Sequence, residues 1–217
     1  MRKAATALYW LTMTKTADKT ENRGHLLACY DDLQGSCDYG WAMLERGAAD
    51  RRSAFHTPTV ATIGLAGRPR LRTVVLRACD TANRSLRFHT DARSDKIAEL
   101  QANPQAAMHF YDAGAKIQLR LDVRLAMLTG AARDDAWAKT RPISRECYQV
   151  TTAPGSAIEA PEQVVFDAAA TDDGAVHFVP VAAHVEAMEW LYLAARGHRR
   201  ARFDFTANPP AASWLVP

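Results

Sequence analysis

Four basic residues lie close together in the chain, and their spacing is typical of a site for an anion. Arg72 and Arg77 bracket an aliphatic and β-branched run, and Arg93 and Lys96 follow near the expected start of a helix. A lysine in a first helical turn costs on the order of 0.3–1 kcal/mol, because the helix dipole is positive there. A bound anion would offset that cost. Each cation taken alone is more simply a solvated surface charge, but together the four predict a phosphate site.

Two strands must position these cations. The aliphatic run at 73–76 predicts the first strand, and the polar segment at 80–85 ends it. Residues 86–90 predict the second strand. Because side chains alternate in direction along a strand, Arg87 and His89 should face away from the apolar residues of that strand.

The rest of the sequence predicts further antiparallel strands and a few helices. Ser94 is a favourable N-cap for a helix that carries Ile97 and Leu100 inward and ends before Pro104. Residues 117–127 alternate strictly between apolar and polar side chains, as a half-buried strand does. Other strands are predicted at 55–66, 106–111, 176–181, 185–193 and 199–205, and helices at 25–50 (with Gly35 as a candidate break), 131–140, 143–150 and 161–170.

Composition favours one domain at 25–217 after a flexible segment at 1–24. The formal charge is +3, from 27 Lys and Arg against 24 Asp and Glu, which favours neither nucleic acid nor a membrane surface as a partner. No segment approaches the roughly 20 apolar residues of a membrane span. The cysteines lack Cys-x-x-Cys or zinc-type spacing, so we expect reduced thiols, no metal site and a cytoplasmic protein: Cys29, Cys37, Cys79 and Cys147.

Three quoted motifs carry a resemblance to a known family. The string Arg-Thr-Val-Val-Leu-Arg at 72–77, then Phe-His-Thr-Asp-x-x-Ser-x-Lys at 88–96 and later Gln118, resembles the pyridoxamine 5′-phosphate oxidase family of FMN-binding split barrels. The resemblance covers about residues 54–217 and is strongest between 72 and 118. It implies a mainly β fold with flanking helices (α+β), in which an antiparallel split β-barrel binds FMN. It also implies a homodimer with its FMN sites at the subunit interface.

The resemblance also implies which residues bind the cofactor. In that family a strand arginine, the basic residue five positions later and a helix-start lysine hold the FMN phosphate and ring edge; the matching residues here are Arg72, Arg77 and Lys96. Asp95 departs from the pattern, since the oxidases usually have an arginine there. The full implied set is Arg72, Thr73, Val74, Val75, Leu76, Arg77, His89, Thr90, Ser94, Asp95, Lys96, Gln118, Trp190 and Arg202.

Two members of that set lie far along the chain. Trp190 and Arg202 match residues that reach the flavin from the second subunit, although Trp190 taken alone is more simply a core aromatic. By composition, residues 183–195 also suit a helix, so the strand interpretation there depends on the resemblance.

Substrate binding is less well matched. Arg141 matches an arginine that grips the substrate phosphate in the oxidases, but Trp137 replaces a tyrosine of the family pattern. The segment Gly-His-Arg-Arg-Ala-Arg-Phe replaces the family's Arg-x-His. The residues implied for substrate binding are Arg77, Arg141, His198 and Arg200.

The resemblance implies an FMN-dependent oxidoreductase that removes hydride from a small substrate such as a phosphorylated amine. No catalytic side chain is assigned, because the flavin would carry the redox chemistry. Two alternatives stay open: a flavin-binding protein without turnover, and a split barrel that uses haem or a deazaflavin.

Overall fold

The computed structural model describes residues 26–165 and 172–217, in which nine strands form one antiparallel sheet. The predicted mainly β class with flanking helices is confirmed. The helices are α1 (Leu33–Ala49), α2 (Asp95–Ala102), α3 (Gly130–Ala138) and α4 (Pro142–Arg145). The strands are β1 (Thr59–Ile63), β2 (Pro69–Thr73), β3 (Leu76–Asp80), β4 (Ser85–Asp91), β5 (Gln105–Asp112), β6 (Ile117–Met127), β7 (Phe178–Tyr192), β8 (Arg199–Asp204) and β9 (Ala211–Leu215).

Strand β7 organises the sheet, whose main order is β2-β1-β5-β6-β7-β4-β3. The first half of β7 pairs with β4 along one edge, and its second half pairs with β8, which in turn pairs with β9. Strand β6 pairs with nearly the whole of β7 on the other edge. The sheet therefore forks at β7. The two strands predicted at 176–181 and 185–193 are this one continuous strand, and the helical alternative for 183–195 is wrong.

The core lies on one face of the sheet, under α1. Alternate residues of β6 from Ile117 to Val123 are fully buried, as the sequence pattern predicted. Burying each such aliphatic side chain stabilises the fold by roughly 1.5–3 kcal/mol. Helix α1 can pack closely against Phe55 because Gly47 has no side chain. A Cβ at Gly47 would stand 2.8 Å from Phe55 atoms. Gly35 does not break this helix; it lies in the first turn, where its N–H donates to Asp32 at 3.0 Å.

Other predicted boundaries were wrong. Residues 73–76 are not one strand, because β2 ends at Thr73 and β3 begins at Leu76. Between them the N–H of Val74 donates to Pro58 O at 2.9 Å, as the chain leaves its pairing with β1 and enters its pairing with β4. The helix predicted at 143–150 is the short α4 followed by a 3₁₀ turn, Glu146–Tyr148.

Two predicted segments reach residues that the structure does not describe. Of the helix expected at 161–170, a 3₁₀ turn at Pro161–Gln163 is present and residues 166–170 lie outside the described ranges. The segment predicted as flexible at 1–24 also lies outside them. Among the described residues, no helix is both long enough and apolar enough to cross a bilayer.

Candidate functional site

Lys96 stands at the centre of a small polar cluster at the start of α2. Its Nζ donates to Thr90 Oγ1 at 2.8 Å, and the Thr90 hydroxyl lies 3.2 Å from that of Ser94. Ser94 is the N-cap residue by position, as predicted, but its hydroxyl donates to Asp91 O at 2.7 Å and makes no capping bond. The N–H of Ile97 donates to Ser94 O at 2.9 Å, whereas the N–H groups of Asp95 and Lys96 have no acceptor among the described residues and stay available to an outside one. We call Arg72, Thr90, Ser94 and Lys96 the phosphate cluster.

The electrostatics of Lys96 suit an anion. Burial lowers the pKa of its ammonium, and the neighbouring Arg72 guanidinium lowers it further. Burial and the Arg72 charge both disfavour the charged form of Lys96. An anion placed beside the two cations would offset the repulsion between Lys96 and Arg72. The cluster thus supplies two cations, two hydroxyls and a helix N-terminus, which is the donor set that phosphate groups bind in proteins.

Arg72 is held in the cluster by Glu99, a residue that sequence reasoning missed. Arg72 Nη2 donates to Glu99 Oε2 at 2.6 Å, and the hydroxyl of Thr62 donates to the same oxygen at 2.5 Å. Arg72 Nη1 also bonds to Thr62 Oγ1. The sequence could have indicated Glu99, because it follows Lys96 by three residues and therefore lies on the same side of the helix as Lys96.

Glu99 is a buried carboxylate, 3% exposed. Burial by itself raises the pKa of this carboxyl, but the hydrogen bonds from Thr62 and Arg72 outweigh that effect and the pKa is lowered. Glu99 is therefore ionised at neutral pH and holds the Arg72 side chain in one place. Arg72 keeps donors for a second acceptor, because a guanidinium has five N–H groups.

Two charged neighbours take no part in the cluster. Arg93 pairs with Asp91 at 2.7 Å and donates to Val150 O at 2.8 Å, so it ties the loop before α2 to the segment after α4. Asp95, which departs from the family pattern, is exposed and lies 3.6 Å from Arg70. An exposed pair of this kind contributes little to stability.

A second group of cations lies on the opposite face of β3 and β4. The pairing of Leu76 with Phe88 places Arg77 of β3 on the same face as Arg87 and His89 of β4, and a β-bulge between Leu76 and Ala78 shifts the register after it. These side chains line a cleft of about 400 Å³ between the end of α1 and α3. We call it the basic cleft; its charged and titratable lining residues are Arg51, His56, Arg77, Arg87, His89, Lys139 and Arg141.

Several nitrogens in the basic cleft are buried without a partner. Within the described residues, Nε of Arg77, Nε of Arg87 and both ring nitrogens of His89 form no hydrogen bond. Each unsatisfied buried polar group costs roughly 1–3 kcal/mol. Burial and then the charges of Arg77 and Arg87 lower the pKa of His89 to about 3, so its imidazole is neutral.

The structure divides the four predicted substrate residues between two places. Arg77 and Arg141 both line the basic cleft. His198 and Arg200 line another cleft, of about 530 Å³, beside the C-terminal strand β9. In this chain Arg200 is already paired, because its Nη2 donates to Glu189 at 2.6 Å.

Gln118 and Arg202 lie on the outer face of the sheet, away from the core. The amide oxygen of Gln118 is 3.2 Å from His109 Nε2, and Arg202 donates to Asp122 and Glu189 at 3.0 and 3.2 Å. Hydrogen bonding to Asp122 raises the pKa of the Arg202 guanidinium, which stays charged.

Trp190 lies on the other face and is 0% exposed. Its cross-strand partners are Leu119 and Ala201, both fully buried, whereas Arg202 pairs with Glu189. The structure therefore does not bring Trp190 and Arg202 together within one chain. It places Thr73, Val74, Val75 and Leu76 at the join of β2 and β3, between the phosphate cluster and the basic cleft.

The architecture corresponds to solved FMN-binding split barrels. A pyridoxamine 5′-phosphate oxidase-related, FMN-binding protein from Nostoc punctiforme matches with a TM-score of 0.64 at 20% identity, over 88% of this chain and 98% of that one. PhzG from Burkholderia lata, solved with tetrahydrophenazine-1-carboxylic acid, matches with a TM-score of 0.69 at 19% identity, over 89% and 98%. The predicted antiparallel split-barrel fold is confirmed.

The sequence comparisons match part of the chain to one family. Residues 40–129 match the family model described as "Pyridoxamine 5'-phosphate oxidase, FMN-binding domain", so this part of the chain is similar to that family. Pyridoxine/pyridoxamine 5′-phosphate oxidase 2 of Arabidopsis thaliana is 35% identical over 127 residues, which are 54% of this chain and 64% of that protein. The chain spans between 38% and 64% of the length of such curated relatives. The matched region contains the phosphate cluster and most of the basic cleft.

Proposed function

We propose that the protein is an FMN-dependent oxidoreductase that oxidises a small acidic substrate. The observation that carries this proposal is the phosphate cluster, in which Lys96, Thr90 and Ser94 meet at a helix N-terminus next to Arg72. It lies inside the segment that matches an FMN-binding domain. When bound, FMN would supply the acceptor for a hydride from the substrate.

The chain's own residues bind and orient in this proposal. Lys96 and Arg72 hold the cofactor phosphate through charge-assisted hydrogen bonds, and Glu99 keeps Arg72 in position. Gln118 offers a side-chain amide to the ring from the outer face. Arg77 and Arg141 hold an acidic group of the substrate in the basic cleft. No described side chain is required as a nucleophile.

The direct test is the absorbance spectrum and oxidase activity of the purified protein after incubation with FMN. We expect the two flavin bands, with about one FMN per chain, and hydrogen peroxide formation with an acidic amine. Because Trp137 and the segment 197–203 depart from the oxidase pattern, pyridoxamine 5′-phosphate itself should be a poor substrate. A haem Soret band, or no bound chromophore, would contradict the proposal, and turnover of pyridoxamine 5′-phosphate near an ordinary rate of about 1–1,000 per second would refute the substrate part alone.

We also propose that the working unit is a homodimer with FMN at the subunit interface. The outer face of β1, β2 and β5 carries exposed apolar side chains beside Gln118, among them Ile63, Leu71 and Tyr111. The phosphate cluster and Arg202 lie on different faces of one chain, which supports the proposal that the Arg202 of a second chain reaches the flavin. An obligate interface of this kind buries on the order of 2,000 Å² or more.

Changing Leu71 to Arg should convert the dimer to a monomer and release FMN. Leu71 is 67% exposed in the single chain, so the change should leave the monomer fold intact, as surface changes usually do. Ile143→Arg is the matched control, because Ile143 is 72% exposed but lies on α4, away from the outer face. Sedimentation with a flavin absorbance detector reads both quantities. A wild-type monomer with full FMN occupancy would exclude the shared site.

A further inference from the structure

The basic cleft holds more positive charge than one phosphate monoester would neutralise. Arg77, Arg87 and Arg141 form no ion pair with any carboxylate among the described residues. Lys139 does, with Asp135 at 2.6 Å. No Asp or Glu lines the cleft itself. A surplus of unpaired guanidinium groups around one cavity favours a polyanionic occupant.

The buried nitrogens without a partner in the cleft belong to residues on β3 and β4, and none of them belongs to Arg141. Nε of Arg87 and both nitrogens of His89 are buried on β4, and Nε of Arg77 is buried beside them across the bulge. The His89 ring is fixed by an edge contact with Phe178, with centroids 4.7 Å apart at 75°. Because the His89 imidazole is neutral, one of its two nitrogens carries an N–H, and this group and the Nε–H groups of Arg77 and Arg87 are donors that a bound acceptor would satisfy. The cavity, about 400 Å³, has the size of a small-molecule site, not of a single ion.

We propose that the basic cleft takes a small molecule with two anionic groups, and that Arg87 and His89 bind the second of them. Arg77 and Arg141 bind the first, which is the part that rests on the proposed function. Arg87 and His89 are then specificity-determining residues: a substrate with one acidic group leaves their N–H groups unsatisfied, and one with two does not.

The experiment uses calorimetric titration of the FMN-loaded full chain with pyrophosphate and with inorganic phosphate, as probes with two and one anionic groups. Wild type should bind pyrophosphate about tenfold or more tightly than phosphate. Arg87→Met should abolish this preference while changing phosphate affinity about threefold or less. Arg51→Met is the matched control, because Arg51 is an exposed cation that lines the same cleft. If general electrostatic attraction alone caused the preference for pyrophosphate, both variants would lose it equally.

Two further readouts separate binding from a structural role. Arg87→Met should keep or raise the melting temperature, since it removes one of several unpaired like charges, whereas a structural arginine would lower it. The His89 pKa, followed by NMR, should rise when pyrophosphate binds, because an anion would offset the charges of Arg77 and Arg87, which lower this pKa. The other charged and titratable groups that line the cleft with His89 are Arg51 and His56, which follow α1, and Lys139 and Arg141, which follow α3.

The proposal fails if wild type binds both probes equally, if Arg87→Met keeps the preference, or if Arg51→Met loses it to the same extent. It also fails if pyrophosphate displaces FMN, because the cleft would then hold the cofactor phosphate. FMN binding is measured separately by quenching of flavin fluorescence. If wild type binds FMN normally but does not prefer pyrophosphate, this inference alone is refuted. If wild type does not bind FMN but its apo chain still prefers pyrophosphate, the proposed cofactor alone is refuted.

Discussion

Changing Arg72 to Met is expected to lower the free energy of unfolding by about 3 kcal/mol or more and to weaken FMN binding at the same time. Glu99 is 3% exposed, and its Oε2 accepts from Arg72 Nη2 at 2.6 Å. Removing one partner of a buried ion pair typically costs roughly 3–5 kcal/mol. The lower end of that range applies here, because Arg70 Nε still lies 3.7 Å from Glu99 Oε1. Urea denaturation followed by circular dichroism measures the stability, and flavin fluorescence measures FMN affinity.

The double variant Arg72→Met with Glu99→Gln separates the two roles of Arg72. Glutamine removes the buried charge and keeps an acceptor for Thr62, so most of the stability should return, while FMN binding should not. The folded-state pKa of Glu99 is depressed, so its ion pair stabilises the protein above the ordinary carboxyl pKa and stops doing so as the pH falls through the folded value. The stability difference between wild type and Glu99→Gln should therefore shrink in acid. If Arg72→Met unfolds like wild type at neutral pH, the ion pair is unimportant.

Changing Lys96 to Met is expected to weaken FMN binding about tenfold or more without unfolding the protein. A charge-assisted hydrogen bond contributes roughly 1.5–3 kcal/mol, which corresponds to at least about a tenfold change in affinity. The stability of the apo protein should change little, because the Lys96 ammonium is desolvated, lies beside Arg72 and donates to the neutral hydroxyl of Thr90.

Lys116→Met is the matched control for Lys96. Lys116 is exposed and precedes β6, so the same loss of charge occurs away from the phosphate cluster. Its FMN affinity should equal that of wild type. Equal FMN affinity in Lys96→Met and Lys116→Met would remove Lys96 from the cofactor site.

The local sequence by itself determined the parts of this protein that depend on short-range periodicity. The alternation in β6 predicted its buried face, and Ser94 predicted the start of α2. The contact between Lys96 and Thr90 follows from the same level of information, because a strand end and a helix start six residues apart must lie close together. The motifs at 72–96 predicted the resemblance to the family because their residues are close together in the sequence.

Only the tertiary structure decided which faces and which distant partners meet. A side chain changes face with every residue along a strand, so the pairing of Leu76 with Phe88 sets which side chain of β3 faces the basic cleft, and that register depends on the partner strand. The pairing of β7 with β8 placed Trp190 inside and Arg202 outside, which spacing along the chain does not reveal. The pair formed by Arg72 and Glu99 joins residues 27 positions apart, and it forms because α2 packs against β1, which pairs with β2. Contacts of this kind are set by how elements pack, which no local pattern encodes.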